Sequence, residues 1–442
     1  MFKRKIDYFL DDWYKDKDHQ PLIIYGSRQI GKTTSIKEFA KKHYESVIEI
    51  NFDKQPQYKK IFQDGYDPDN VNYNISLINS DARFISSKTL VFFDEIQDCV
   101  DAVTSLKFYK GDGRFDVICS GSMLGINYKR IKSISVGYQQ EYLMYSMDFE
   151  EFLWANGYDD SFVERLYDHM INIKPFSELE MNALSKLFKQ YMLCGGFPEV
   201  VKMFVEDKTF ERVVKKQKQL YMDYENDIKK YVDGLDVAKV VAIYEHITSM
   251  LARDNHKLQY SVISKNARAR EYMGCDEWLK QAGIIVIAHN VDSLNIPLVD
   301  HEIMDEKRIY YMDNALLMAS LDEDSLEDIR VNNNFEIYNG AVTESIVAEA
   351  LIKSGYEKIF YYKNDDRVEL DFVNRAKNEI VPLGVKTSRG RTSSLNKVIE
   401  SGKVEFGIKL TRQNIGYANN KYTFPYFLSF LVRRFLKEKV EW

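Results

Sequence analysis

The chain has 442 residues, enough for more than one domain, with 45% hydrophobic and 29% charged residues and a net charge of −6. Thirty Tyr and 26 Phe exclude long disorder, and the apolar runs fall far short of the ~20 residues of a membrane helix. Four scattered cysteines, no C-x-x-C, no H-E-x-x-H and no signal-peptide core predict a reduced cytoplasmic protein without zinc and away from membranes.

Pro21 to Tyr25 predicts a short buried strand, and Ile36, Phe39, Ala40 and Tyr44 fall at helical spacing beyond it. Between them Gly26-Ser27-Arg28-Gln29-Ile30-Gly31-Lys32-Thr33 fits G-x-x-x-x-G-K-[ST], and Thr34 follows. Glycine lets backbone amides close on a phosphate where a Cβ would block them. Lys32 supplies a flexible charge for the β- and γ-phosphates, Thr33 a hydroxyl for Mg²⁺, and the helix N-terminus its dipole. The loop therefore predicts a site for ATP and Mg²⁺, and no N-K-x-D favours guanine.

Ile48 to Asp53 predicts a second strand, after which Asp53 lies near the site or only starts the next loop. Thr89-Leu-Val-Phe-Phe-Asp94-Glu95 is an apolar run ending in two acids, the pattern of a parallel strand covered on both faces. Asp94 is expected in the Mg²⁺ shell, and Glu95 as the group that orients and polarises water. Arg114 to Ser122 predicts a third strand. Ser120, with Ser122 next, ends it where a polar residue can reach the γ-phosphate, or serves only as a turn residue. Arg28 and Arg130 are candidates to neutralise charge in the transition state. These elements predict a doubly wound parallel α/β core over residues 1–146.

Met147 to Trp154 starts a helical lid, Leu184 to Tyr191 continues it, and Gly195-Gly196-Phe197-Pro198 breaks it at a corner or at a turn that senses nucleotide. In this order, "YGSRQIGKTTSIKEFA", "LVFFDEIQ", "VICSGSMLG", "MDFEEFLWANG" and "YMLCGGFPEVV" resemble a prokaryotic AAA-like P-loop ATPase family. Its members carry a C-terminal domain of unknown function similar to the PD-(D/E)XK nuclease fold. The resemblance spans nearly the whole chain and implies an ATPase, with no physiological task attached. Ser27 departs from the family's usual proline without removing the turn.

Glu211 to Val232 predicts a charged helix closing a lid-and-linker segment, 147–235. The segment 236–330 suggests a winged helix: helices at Ala238 to Leu251, from Ser261, and at Glu271 to Gln281, then strands at Gly283 to His289 and Arg308 to Tyr311. Such a module either docks DNA, with Lys265, Arg268 and Arg270 placed for it, or serves as packing.

From Val331 to Trp442 there are 18 Lys and Arg against 13 Asp and Glu, a basic last quarter on an acidic body. Its elements run helix (Val342 to Ser354), strands (Lys358 to Lys363, Val368 to Asn374, Glu379 to Thr387), helix (Thr392 to Ser401) and strand (Lys403 to Thr411), the order of the nuclease-like core. Alternation puts Glu369 and Asp371 on one face. The resemblance makes Glu344, Glu369, Asp371 and Lys386 the remains of a nuclease site. It also makes residue 384, a glycine here, the position of a missing metal-binding acid. The expected function is Mg-ATP hydrolysis gating DNA contact without cutting, or else a nucleotide-controlled switch for a protein partner.

Overall fold

The computed structural model describes residues 1–123, 137–253, 257–265, 267–332, 340–364, 368–386 and 393–440; the candidate Arg130 lies outside them. The chain divides into two compact units, Met1–Ser146 with Gln281–Gly283, and Met147–Lys280 with Ile284–Trp442.

In the first unit, β1 (Leu22–Gly26), β2 (Ser46–Asn51), β3 (Thr89–Asp94), β4 (Asp116–Ser122) and β5 (Gln140–Leu143) form a parallel sheet ordered β2-β3-β4-β1-β5. Helices α1 (Lys5–Lys15), α2 (Lys32–His43), α3 (Pro68–Ile78) and α4 (Asp101–Asp112) accompany it. Every residue of β1 and β3 is buried, which is why both read as unbroken apolar runs. Because β4 inserts between β1 and β3, the carboxyl ends of β1 and β3 flank a crevice, where ligands bind in open α/β sheets.

The second unit begins with α5 (Phe149–Ala155), α6 (Asp160–Ile171), α7 (Glu178–Cys194), α8 (Pro198–Asp207) and α9 (Glu211–Tyr231). Asp148 and Ser177 start α5 and α7 with capping boxes, each side chain accepting an amide while a glutamate three residues on returns the favour. The Gly195-Gly196 turn is a packed corner. A Cβ on Gly196 would lie 2.0 Å from the Met147 carbonyl oxygen, and Asp313 accepts the Gly196 amide at 3.0 Å. Asp313 is itself paired with buried Lys353 (3.2 Å), which also holds Glu349 (2.7 Å).

Helices α10 (Val237–Leu251), α11 (Tyr260–Ile263) and α12 (Cys275–Gln281) follow, then the hairpin β6 (Ile285–Val291) and β7 (Glu302–Tyr311). Next come α13 (Asn314–Ser320), α14 (Glu323–Asn332), α15 (Ala341–Lys353), β8 (Ile359–Lys363), β9 (Glu369–Ala376), β10 (Glu379–Val385), α16 (Ser393–Glu400) and β11 (Gly407–Thr411). Strands β12 (Gly416–Ala418) and β13 (Lys421–Pro425) and helix α17 (Val432–Val440) extend the fold beyond the sequence expectation. Among the described residues the strands of this unit form one sheet, β12-β13-β11-β10-β9-β8-β6-β7.

The expected hairpin of segment 236–330 is thus no free wing. Strand β6 pairs parallel with β8, from Ala288 opposite Ile359 to Val291 opposite Tyr362, so a division at 330 cuts through one sheet. The reason lies in composition: all seven residues of β6 are buried, and such a strand needs a neighbour on each side. Among the described residues, no helix is long and apolar enough to cross a membrane.

Candidate active site

The phosphate loop leaves β1 at Gly26, where a Cβ would come within 2.3 Å of the Met144 carbonyl oxygen, so the backbone there must stay bare. Gln29 and Gly31 take positive φ, 61° and 96°. Arg4, buried and unforeseen from sequence, ties the loop from behind: its guanidinium donates to the carbonyls of Ile30 and Tyr145, both at 2.8 Å. Lys32 opens α2 and is 8% exposed. Its ammonium donates to the carbonyls of Gly26 (3.0 Å) and Ser27 (2.7 Å), curled over the loop it belongs to. Burial pulls its pKa down to about 8, against the opposing charges of Glu95 and Asp94, with Arg28 adding to the fall. Ser27 and Ile30 are buried, and Gln29 and Thr34 are exposed.

Asp94 is the hub of the site. The Thr33 hydroxyl lies 3.2 Å from both its oxygens, the Asn51 amide donates to it at 2.8 Å, and the Ser120 hydroxyl donates to it as well. Register explains this convergence: Asn51 on β2 and Ser120 on β4 are the lateral partners of Asp94 on β3. Glu95 adopts a left-handed conformation, φ 57°, a strain that clusters at functional sites. The Gln97 amide donates to its carboxylate, while the Gln97 carbonyl accepts the Ser122 amide at 3.1 Å. So Thr33, Asp94 and Ser120 are in contact, with Lys32 on the phosphate loop and Glu95 next in the chain to Asp94. Asp53 is exposed just past β2, and the contact with Asp94 comes from Asn51 two residues earlier.

These groups fit a magnesium nucleotide. The lysine, now satisfied by carbonyls, can swing to phosphate, and the Thr33 and Asp94 oxygens are hard donors of the kind Mg²⁺ takes. Among the described residues no group of three or more His, Cys, Asp or Glu could hold a metal ion. That is compatible with Mg²⁺, which uses one or two carboxylates and completes its shell with water and phosphate.

A second polar cluster lies in the other unit. Arg308 of β7, 1% exposed, donates to Glu344 of α15 at 3.0 Å and to Glu369 of β9, and its guanidinium lies over the Tyr361 ring at 4.2 Å. The Tyr310 hydroxyl also donates to Glu344. Lys363 pairs with Glu369 at 2.6 Å, and Lys386 with Asp371 at 3.0 Å. Asp371 also accepts the Val385 amide at 2.6 Å. Burial raises its pKa, with Lys386 opposing and Glu344 adding to the rise. Glu344, Glu369, Asp371 and Lys386 do come together, but around an arginine that sequence reasoning missed. Strand β9 bulges between Leu370 and Val373, and Glu369 and Asp371 both lie near Arg308 while pairing with different lysines. A Cβ on Gly384 would meet only Leu395 of α16, at 3.7 Å, with no carboxylate within 4 Å.

A parallel sheet in this order, a G-x-x-x-x-G-K-T loop after β1 and a carboxylate ending β3 define the core of a P-loop ATPase. Residues 18–153 match the family model described as an AAA domain, which makes that core AAA-like. Residues 185–327 and 339–426 match two domains of unknown function, DUF8612 and DUF4143. Strands β6 and β7 fall in the first of these matches and β8 to β13 in the second, so one sheet spans both. No curated protein matches the chain significantly. Among solved structures, the Walker-type ATPase PABY2304 of Pyrococcus abyssi is 15% identical, with 72% of this chain and 96% of that chain covered and a TM-score of 0.44. AMPPCP-bound DnaA from Aquifex aeolicus is 11% identical, with 63% and 88% covered and a TM-score of 0.29. The Drosophila ORC bound to DNA is 11% identical, with 75% and 95% covered and a TM-score of 0.23.

Proposed function

We propose that the protein hydrolyses ATP with Mg²⁺, and that nucleotide state gates contact between its C-terminal parts and DNA. The hydrolytic reading rests on the convergence of Thr33, Asn51 and Ser120 on Asp94 beside the Lys32 loop. In this reading the amides of residues 27–34 and the Lys32 ammonium hold the phosphates, and Thr33 and Asp94 hold the ion. Bound Mg²⁺ supplies charge neutralisation at the phosphoryl group. Glu95, steadied by Gln97, orients and polarises the attacking water, and Ser120 fixes the Asp94 carboxylate.

The reading divides the chain into an ATPase core (1–146), a lid and linker (147–235), a winged-helix-like segment (236–330) and a nuclease-like segment (331–442), the last two sharing a sheet. The basic last quarter supports DNA as partner. Lys265, Arg268 and Arg270 are exposed, as a second contact requires. The nuclease-like part does not cut in this reading, because its three carboxylates are already balanced by Arg308, Lys363 and Lys386. Duplex DNA titrations over a range of salt, with ADP and with a non-hydrolysable ATP analogue, test it. Affinity should fall linearly in log–log coordinates with salt and differ between nucleotides. Salt-independent or absent DNA binding would turn the reading to the protein-partner switch.

A further inference from the structure

We propose that Lys409, on β11 beside Gly384, centres a phosphate-binding site on the sheet of the second unit. The inference rests on the DNA-contact reading and adds to it a place and a ligand: a phosphate group, carried by the DNA backbone or free.

Lys409 is 9% exposed, yet among the described residues its ammonium meets no carboxylate and touches only the Gln413 side-chain oxygen, at 3.3 Å. A charge taken out of water is costly unless it is paired. Strand register places Lys409 between Gly384 of β10 and Thr423 of β13. Lys421 stands two residues along β13 on the same face by the period of two, and Lys386 follows the end of β10. Lys386 is balanced by Asp371, and Lys421 donates to Asn396 at 2.7 Å. Burial lowers the pKa of Lys409, and Lys421 and Lys386 push it the same way. Lys421 of β13 and Lys386 beyond β10 thus bring ammonium groups towards it, the second with the Asp371 carboxylate against it.

Gly384 supplies the space. Its backbone is outside the left-handed region, and a Cβ there would make one ordinary contact, with Leu395 at 3.7 Å. Neither strain nor crowding demands glycine, and any larger residue would project beside Lys409. The carboxylate cluster around Arg308 is balanced, three acids against three bases, and Lys386 is one of those bases, so the positive charge here comes from Lys409 and Lys421. A compact oxyanion suits two ammonium groups that act as point charges.

The test uses the full-length chain and Lys409→Met, which keeps the stem and removes the charge. Duplex DNA affinity is measured from low to moderate salt, and thermal unfolding is followed with inorganic phosphate and with chloride at equal ionic strength. The phosphate loop contributes equally to both proteins, so differences between them report Lys409. The variant should lose about one unit of salt slope. In chloride it should melt no lower than wild type, because the charge it loses holds no carboxylate, and it should lose part of the stabilisation by phosphate. Wild type that binds no DNA but shows a Lys409-dependent phosphate shift would remove the DNA reading and leave a site for free phosphate. DNA binding of unchanged slope, with equal phosphate shifts, would overturn the site and leave the DNA reading standing. A lower melting temperature for Lys409→Met in chloride would show a structural lysine and also overturn it.

Discussion

Replacing Arg308 by methionine should expose how the carboxylate cluster is held. The guanidinium is buried and bonds Glu344, whose side chain is 6% exposed, at 3.0 Å. Methionine preserves most of the volume and the contact with Tyr361 but leaves Glu344 with the Tyr310 hydroxyl alone among the neighbours described above. Removing one partner of a buried pair costs about 3–5 kcal/mol. Glu369 is 31% exposed and keeps Lys363, so its share is small and the total should sit near the lower figure, about 3 kcal/mol. That is a large part of the 5–15 kcal/mol that typically holds a domain together. Urea unfolding of wild type, Arg308→Met, Glu344→Gln and the double variant forms a cycle. The double variant should recover most of the loss, because an amide beside methionine carries no unpaired charge. The deficit of the single variant should shrink as pH falls, since protonating Glu344 removes the same charge. With the guanidinium gone, Mn²⁺ should raise the melting temperature of the variant and not of wild type. A loss below about 1 kcal/mol, or no recovery in the double variant, would show that Arg308 is not the counter-ion that closes this cluster.

Three further outcomes follow from the phosphate loop and the sheet. Lys32→Ala should abolish tight ATP binding in titration calorimetry. Because burial lowers the Lys32 pKa to about 8, wild-type affinity should also fall as pH rises above 8, where binding must take up a proton; an affinity level with pH there would show that Lys32 does not gain its charge on binding. Glu95→Gln should keep ATP bound but slow turnover by at least about 10²-fold in a phosphate-release assay; turnover at the wild-type rate would assign water activation elsewhere. Truncation before Val331 should give aggregated protein, because it strips β8 from the buried strand β6; a monodisperse product on size exclusion would show that the hairpin tolerates an open edge.

The nucleotide site was legible because its determinants are local. Eight consecutive residues state the loop, and two acids end an apolar run, so spacing alone places Lys32, Thr33, Asp94 and Glu95. Asn51 and Arg4 were not legible, since their roles depend on which strands become neighbours and on chain that returns from residue 145. In the second unit, the α-β-β-β-α-β order could be read from punctuation by glycine and from apolar runs. The pairing of β6 with β8 could not, because it joins stretches nearly 70 residues apart without a local signal. That Gly384 faces Leu395 of α16, with no carboxylate near it, could not be read either, because it depends on how α16 packs on the sheet. Arg308 escaped notice because it lies in the segment read as a wing, while its acids lie in the segment read as a nuclease.

The parallel seam between β6 and β8 also sets a timetable for synthesis. A ribosome that has finished Val291 must add nearly 70 residues before Ile359 emerges to cover the edge of β6. At the usual 5–20 residues per second, that wait is roughly 3–14 s. During it the nascent chain carries an uncovered strand with five apolar residues among its seven, a docking place for a chaperone or for the same strand of a chain on the next ribosome. Synonymous codons that slow elongation between residues 292 and 358 should therefore raise the fraction of newly made protein that aggregates, although the finished sequence is unchanged.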